Sequence, residues 1–209
     1  MPDYYWNPTT QHYENARTGE AVAQTQIREW IDQTITVSKG RVRDISEKFV
    51  AGEIDLPAWH TQIQGEIKLA HTAMSEIAAG GRAQFTPAQA GRLGQRLKEQ
   101  YKYLSEFSNA VDRGDVLLGD GLIARSELYA EAERGTYEGI RRAEHVEFGF
   151  QMERSILGGG DNSCEECIEQ DGLNWQPIGE MVAIGDRTCG PNCNCESEFS
   201  MVNLFDEGE

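Results

Sequence analysis

Apolar residues recur every three, four or seven positions through most of the first 145 residues, which is the spacing of one face of an α-helix. Four such stripes predict four helices with a shared apolar core. The first comprises Ile27, Ile31, Ile35, Val42, Ile45 and Phe49, and the second comprises Trp59, Ile63, Ile67, Ala70, Met74 and Ile77. The third comprises Leu93, Leu97, Tyr101, Leu104, Phe107 and Val111, and the fourth, after Asp120, comprises Leu122, Tyr129, Ala132, Thr136 and Ile140.

Turn and capping residues separate these stripes. Gly80 and Gly81 follow the second stripe, and glycine is favoured just beyond a helix C-terminus. Thr86, Pro87 and Gln89 precede the third stripe. They place a hydroxyl at the N-cap, proline at the first helical position and glutamine at the third, which together form a capping box. Connections this short predict an antiparallel bundle.

The hydrophobic period changes to two after His145. Val146, Phe148, Phe150 and Met152 alternate with glycine or polar residues, which predicts a half-buried strand. A second alternating segment over residues 198–202 is a candidate partner for that strand. The glycine-rich residues 158–162 predict a flexible turn.

Charge divides the chain in a similar place. The formal net charge is −16. Residues 1–120 carry 16 acidic and 13 basic side chains, whereas residues 121–209 carry 19 acidic and 6 basic ones. Such a field repels phosphate backbones and anionic membrane surfaces, so we expect neither a nucleic-acid nor a membrane partner. We also expect no secretory leader, because no basic region followed by an apolar run begins the chain.

All five cysteines lie within 32 residues near the C-terminus. A C-x-x-C pair is followed, after 21 residues, by a C-x-x-x-C-x-C group, and this clustering is typical of a metal site rather than of a disulfide framework. A tetrahedral zinc ion takes four thiolates, so we predict that four of the five bind zinc. A redox dithiol at Cys164 and Cys167, an iron–sulfur cluster and structural cysteines without a metal are the alternatives. The candidate ligands are Cys164, Cys167, Cys189, Cys193 and Cys195.

These patterns predict a mainly α protein, in which an N-terminal antiparallel helical bundle precedes a small β-rich, cysteine-clustered zinc module. The predicted divisions are an N-terminal arm over residues 1–19, the bundle over 20–145, the zinc-binding module over 146–203 and an acidic tail over 204–209.

A structural zinc is favoured over a catalytic one. A site made only of thiolates is closed, whereas a catalytic zinc keeps a water and a nearby base. Glu165 and Glu166 lie within the C-x-x-C pair, but no H-x-E or H-E-x-x-H element is present. The histidines are scattered, and we interpret His60 and His71 as surface or core residues. We therefore predict no enzyme; the alternative is a small zinc-dependent hydrolase or redox enzyme.

Several motifs occur together in the C-terminal 90 residues. A helix carries residues 123–130 (IARSELYA), the C-x-x-C pair is followed by Asp171-Gly172, and the chain then reaches Asn192-Cys193-Asn194-Cys195. This order resembles the C-terminal region of the Mu F-like head morphogenesis proteins of tailed phages. The family ending is H-P-N-C-R-C, so Asn194 replaces its arginine and Cys189 stands near the position of its histidine.

The resemblance implies a minor capsid protein that acts in head assembly near the portal or the inner capsid surface. It implies portal, major capsid and connector proteins as partners, several copies in the virion, and residence in the host cytoplasm during assembly. A decoration or head–tail connector protein is the alternative role. Arg125 and Glu127 of the helical motif are interpreted as scaffold residues.

Overall fold

The computed structural model describes residues 4–7, 9–10, 12–158 and 163–201. Five helices dominate the first 147 residues, which confirms the predicted mainly α fold, and short strands lie before and after them. The predicted acidic tail lies outside the described residues, as does most of the predicted turn over 158–162. The five helices are Gln24–Val50 (α1), Leu56–Ala78 (α2), Pro87–Asp112 (α3), Asp120–Glu131 (α4) and Glu133–Glu147 (α5).

Two N-caps fix where helices begin. The Asp55 side chain accepts a hydrogen bond from the amide of Ala58 and starts α2. The predicted capping box at α3 is confirmed, because the Thr86 hydroxyl accepts from the amide of Gln89 at 3.3 Å and the Gln89 side chain accepts from the amide of Thr86 at 2.7 Å. These bonds satisfy amides that a helix N-terminus otherwise leaves unpaired.

Ion pairs show that α1 runs antiparallel to α4. Lys39 of α1 pairs with Glu131 of α4 at 2.5 Å, and Arg43, further along α1, pairs with the earlier Glu127 of α4 at 2.6 Å. Asp32 of α1 pairs with Arg134 at the start of α5 at 2.6 Å. Two apolar cores lie along the helices. One contains Trp59 and joins α1, α2, α3 and α4, while the other joins α1, α2 and α5 to the N-terminal strands.

The single fourth helix predicted from the apolar stripe is wrong, because α4 and α5 are separate helices that meet at Ala132. This residue keeps a helical φ of −61° with a ψ of −14°, and the helix is interrupted there. Helix α4 packs mainly on α1, and α5 packs mainly on α2. An apolar stripe carries no mark of such an interruption, since both helices bury the same face.

The strand predicted to begin at Val146 is also wrong at its start. Helix α5 continues through Glu147 and ends where Gly149 adopts a φ of 87°. The amides of Gly149 and Phe150 bond back to the carbonyls of Val146 and His145, at 3.0 Å each, which is a Schellman C-cap. The predicted boundary between residues 145 and 146 therefore falls inside a helix.

The predicted N-terminal arm and the first residues of the predicted bundle form a three-stranded antiparallel sheet that the sequence pattern did not indicate. Its strands are Tyr4–Asn7 (β1), His12–Asn15 (β2) and Ala21–Val22 (β3). The sheet is fixed to the end of α2, because the amide of Tyr4 donates to the carbonyl of Gly80 at 2.7 Å. A Cβ at Gly80 would lie 2.2 Å from the Tyr4 carbonyl oxygen, so only glycine fits there.

A second three-stranded sheet follows the helices. Its strands are Met152–Ile156 (β4), Gln176–Pro177 (β5) and Glu196–Ser200 (β6), with β4 in the centre. Strand β4 pairs antiparallel with β6, which confirms the pairing predicted for the two alternating segments. Between β4 and β5 lies a short helix, Glu165–Gly172 (α6). We refer to residues 152–201 as the C-terminal module.

The C-terminal module packs directly on the helices. The ring of His145 in α5 stacks on Phe199 of β6 with centroids 4.3 Å apart, and the guanidinium of Arg141 donates to the carbonyl of Ser197 at 3.0 Å. None of the helices in the described residues combines the length and the apolar character needed to cross a membrane.

A buried carboxyl in the helical core predicts a pH-dependent stability. Glu133 is fully buried at the start of α5, and burial raises its pKa to about 8, with the Ser38 hydroxyl offsetting part of that rise. The folded state therefore holds a proton between about pH 4.5 and 8 that the unfolded state releases, so stability falls as the pH rises through this range. We expect the free energy of unfolding to fall by a few kcal/mol over this range, and we expect Glu133→Gln to abolish this fall.

Urea unfolding followed by circular dichroism at several pH values measures this effect. The matched control is Glu29→Gln, which alters an exposed carboxyl on α1. A Glu133→Gln profile that parallels the control between pH 5 and pH 8 would contradict the assignment.

Candidate metal centre

Local structure brings the five cysteines to one place in the C-terminal module. Cys164 is the N-cap of α6 and Cys167 lies in its first turn. Both cysteines of the C-x-x-C pair therefore lie at the N-terminal end of this helix. Cys189 precedes and Cys193 follows a single 3-10 turn over Gly190–Asn192. Gly190 adopts a φ of 55°, a left-handed conformation that favours glycine and folds the chain back toward α6. Cys195 then leads directly into β6.

The five sulfur atoms form two groups that share Cys167. The outer group consists of Cys164, Cys167 and Cys189, and the inner group consists of Cys167, Cys193 and Cys195. Within each group the sulfurs all lie within 4.8 Å of one another. The Sγ of Cys167 lies 3.5 Å from that of Cys189 and 3.6 Å from that of Cys193. Sulfurs around a tetrahedral zinc ion lie about 3.8 Å apart, so this cluster could hold a metal ion.

Burial distinguishes the two groups. The three thiols of the inner group are each at most 3% exposed, and with Ile184 they form the apolar core of the C-terminal module. Cys164 and Cys189 are half-buried and line a groove of about 690 Å³ between this module and helices α1, α4 and α5. Cys164 and Cys189 are therefore the most exposed cysteines of the cluster, and all five line the groove.

A buried arginine lies against the shared sulfur. Arg187 is 4% exposed, and its guanidinium donates to the Sγ of Cys167 at 3.8 Å and to the hydroxyl of Ser155 at 2.9 Å. Burial lowers the pKa of Arg187, but the hydrogen bond to Cys167 and the charges of Cys193 and Cys195 raise it by more. Because arginine stays charged in proteins, a buried guanidinium requires a counter-charge. Thiolates in this cluster would supply it.

The thiols of the cluster differ in how readily they lose a proton. Burial and hydrogen bonds with Cys167 and Cys164 raise the pKa of Cys189 to about 12, whereas at Cys164 burial is outweighed by hydrogen bonds with Cys167 and Cys189, which lower its pKa to about 7. A metal ion binds the thiolate and releases the proton, so metal binding and the charged state of the cluster are coupled.

Residues outside the cluster fix its two flanks. The carboxylate of Glu166 accepts from the amide and the hydroxyl of Thr188, at 2.6 and 2.7 Å, and so connects α6 to the segment before Cys189. These hydrogen bonds lower the pKa of Glu166. The side chain of Asp171 accepts from the amide of Leu157 at 3.3 Å and connects α6 to the end of β4. Both carboxylates therefore hold α6 against neighbouring segments of the chain.

The histidines lie elsewhere in the structure. His71 is buried in the helical core, where its Nδ1 lies 2.6 Å from the Thr136 hydroxyl, and His60 is half-buried on α2. Their predicted surface or core placement is confirmed. The Arg125 guanidinium lies over the ring of Phe107 at 4.5 Å, which is a contact between helices.

Arg187 is the functional residue that sequence reasoning missed. One signal was available, because Arg187 is the single basic residue between Cys164 and Cys195. A lone cation among five thiols in an acidic segment indicates a charge partner for thiolates. Its burial beside Cys167 depends on the fold of the loop between β5 and the 3-10 turn, which the sequence pattern does not specify.

Comparisons with family models, with curated proteins and with solved structures find no match to this chain. The resemblance to Mu F-like head proteins rests on the sequence motifs, of which the C-x-x-C pair and the Cys193–Cys195 pair now have a structural role in one cluster.

Proposed function

We propose that this chain is a structural protein whose C-terminal module is held together by one zinc ion, and that it serves as a minor head protein of a tailed phage. The observation that carries the proposal is the burial of Arg187 against the sulfur of Cys167. A buried cation beside clustered thiols is stable when those thiols are thiolates, and a bound metal is what keeps clustered thiolates deprotonated.

Zinc fits the donor set better than other common ions. Thiolates are soft ligands, and a tetrahedral set of four sulfurs is typical of structural zinc. Cys164, Cys167 and Cys189 would supply three positions, because their sulfurs all lie within 4.8 Å of one another. Cys193 or Cys195 would supply the fourth. Four thiolates around zinc leave a net negative charge, which Arg187 reduces.

The surroundings of the cluster favour structure over catalysis. Two carboxylates, those of Asp32 and Glu131, line the groove beside the outer group. Asp32 is paired with Arg134 at 2.6 Å, and Glu131 is paired with Lys39 at 2.5 Å. A general base for a zinc-bound water needs a carboxylate that is free to accept a proton, and both of these are held by cations.

The phage assignment rests on the motifs and on charge. The helix over residues 123–130, the C-x-x-C pair with Asp171-Gly172 and the Asn192–Cys195 ending follow the order found in Mu F-like head proteins. The strongly acidic C-terminal part would suit a basic face on a portal, capsid or connector protein.

Elemental analysis of the full chain, combined with a count of reactive thiols, tests the zinc site. We expect one zinc per chain, with four thiols protected until a chelator is added. Zinc content near zero with five reactive thiols would contradict the proposal.

Antibody labelling of phage particles tests the assignment as a minor head protein, for which we expect label near the portal vertex after the head is opened. A chain absent from purified particles would contradict the head assignment and leave the zinc site standing.

A further inference from the structure

A single zinc ion leaves one of the five thiols without a role. Zinc takes four sulfurs, whereas all five lie in one cluster and three of them are almost fully buried. The grouping of the sulfurs offers an explanation for the fifth. Two groups of three that share Cys167 include every cysteine of the chain.

We infer that the same cluster can bind two monovalent soft cations, with Cu(I) as the probe, one in the outer group and one in the inner group. This inference rests on the proposed metal site. Cu(I) is selected by thiolates and is stable with three of them. Each group already provides three sulfurs within 4.8 Å of one another, and the Sγ of Cys167 would bridge the two ions.

The geometry suits two three-coordinate ions at least as well as one four-coordinate ion. A single ion bound by the outer group and one sulfur of the inner group leaves Cys193 or Cys195 unused. Two ions that share Cys167 use all five cysteines. Cys167, the sulfur that both groups share, is also the one that accepts from the Arg187 guanidinium, at 3.8 Å.

An ion can reach both sulfur groups through the groove. Cysteines of both groups line the groove of about 690 Å³, with Cys164 and Cys189 more exposed than the other three and Cys167 common to both groups. An ion that first binds Cys164 and Cys189 can therefore pass to the buried sulfurs by exchanging ligands at Cys167. The outer position is then free for a second ion.

The exchange balances without any redox step. One Zn²⁺ leaves and two Cu⁺ enter, so the total charge of the bound metal is unchanged. The thiol that zinc does not use releases its proton to water and becomes the fifth ligand. Copper stays in the Cu(I) state throughout.

An anaerobic titration of the zinc-loaded full chain with acetonitrile-stabilised Cu(I), followed by elemental analysis of the desalted protein, tests the inference. We expect zinc to leave and copper to reach two per chain. Cys164→Ser removes one sulfur from the outer group and Cys195→Ser removes one from the inner group, so each variant should stop at one copper. The matched control is Ser163→Ala, next to the outer group, which should still reach two.

Copper that stops at one per chain in the unaltered protein would overturn the inference. So would two coppers in both Cys164→Ser and Cys195→Ser. Zinc content is measured before copper is added, which separates the two proposals. One zinc followed by one copper overturns only the two-ion inference, whereas no zinc at the start overturns the proposed zinc site whatever the copper count.

Discussion

Replacing Cys167 with serine is expected to unfold the C-terminal module while helices α1 to α5 stay folded. Cys167 is the only sulfur common to both groups, so the variant loses the centre of the cluster. Zinc ligation contributes on the order of 10 kcal/mol to the folding of small thiolate sites. The apolar cluster around the thiols has little to replace it, because apart from the cysteines it contains only Ile184 and the partly buried Leu157.

Circular dichroism and limited proteolysis measure this outcome. Most of the helical signal should remain, whereas cleavage between residues 157 and 195 should become rapid. A strong chelator should produce the same pattern in the unaltered chain. The matched control is Ile168→Ser in the same helix, where the side chain is 55% exposed and its loss should leave zinc content and protease resistance unchanged. A Cys167→Ser variant with full zinc content would contradict the role given to this sulfur.

Replacing Arg187 with methionine is expected to weaken zinc binding by about 10- to 100-fold, the range typical of residues that contact metal ligands without binding the metal. Methionine fills similar space but leaves the thiolates of Cys167, Cys193 and Cys195 without their buried counter-charge. Removing one partner of a buried charge pair costs about 3–5 kcal/mol, so the C-terminal module should also unfold at lower urea concentration.

Competition with a colorimetric zinc chelator measures the change in affinity. Arg154→Met provides the control, because Arg154 lies in the same sheet but its ion pair with Glu198 is about two-fifths exposed on either side. A pair of this kind contributes about 1 kcal/mol or less. Arg187→Lys should fall between the two, since lysine keeps the charge but not the planar set of donors. Zinc affinity in Arg187→Met within threefold of the unaltered chain would contradict the argument.

The sequence predicted the helices where local signals and apolar spacing agreed. The capping box at Thr86 fixed the start of α3, and the apolar stripes of α1, α2 and α3 match buried residues. The same spacing could not reveal the interruption at Ala132, because α4 and α5 bury a continuous stripe on both sides of it.

The sequence pattern was misleading around residue 146 and at the N-terminus because the secondary-structure elements there are short. Val146 and Phe148 suggested a strand, yet both are exposed side chains at the end of α5, and the chain changes direction only at Gly149. Strands β1 to β3 are two to four residues long, too short for an alternating pattern to be distinctive. Their stability comes from contacts distant in sequence, such as the packing of Tyr4 against the end of α2.

The metal centre was predictable in its membership but not in its internal arrangement. Cysteine spacing indicated that the five thiols meet, and the structure brings them together. The division into outer and inner groups depends on the orientation of α6 and on the left-handed turn at Gly190, which spacing alone leaves open. The burial of Arg187 depends on its hydrogen bonds to Ser155 and Cys167, which join residues 20 or more positions apart.

The most direct test of the zinc-bound thiolate cluster is the X-ray absorption spectrum of the full chain at the zinc edge. We expect one zinc per chain with a first shell of four sulfurs at about 2.3 Å. A shell that contains nitrogen or oxygen, or a chain that holds no zinc while Arg187 remains buried against neutral thiols, would contradict it.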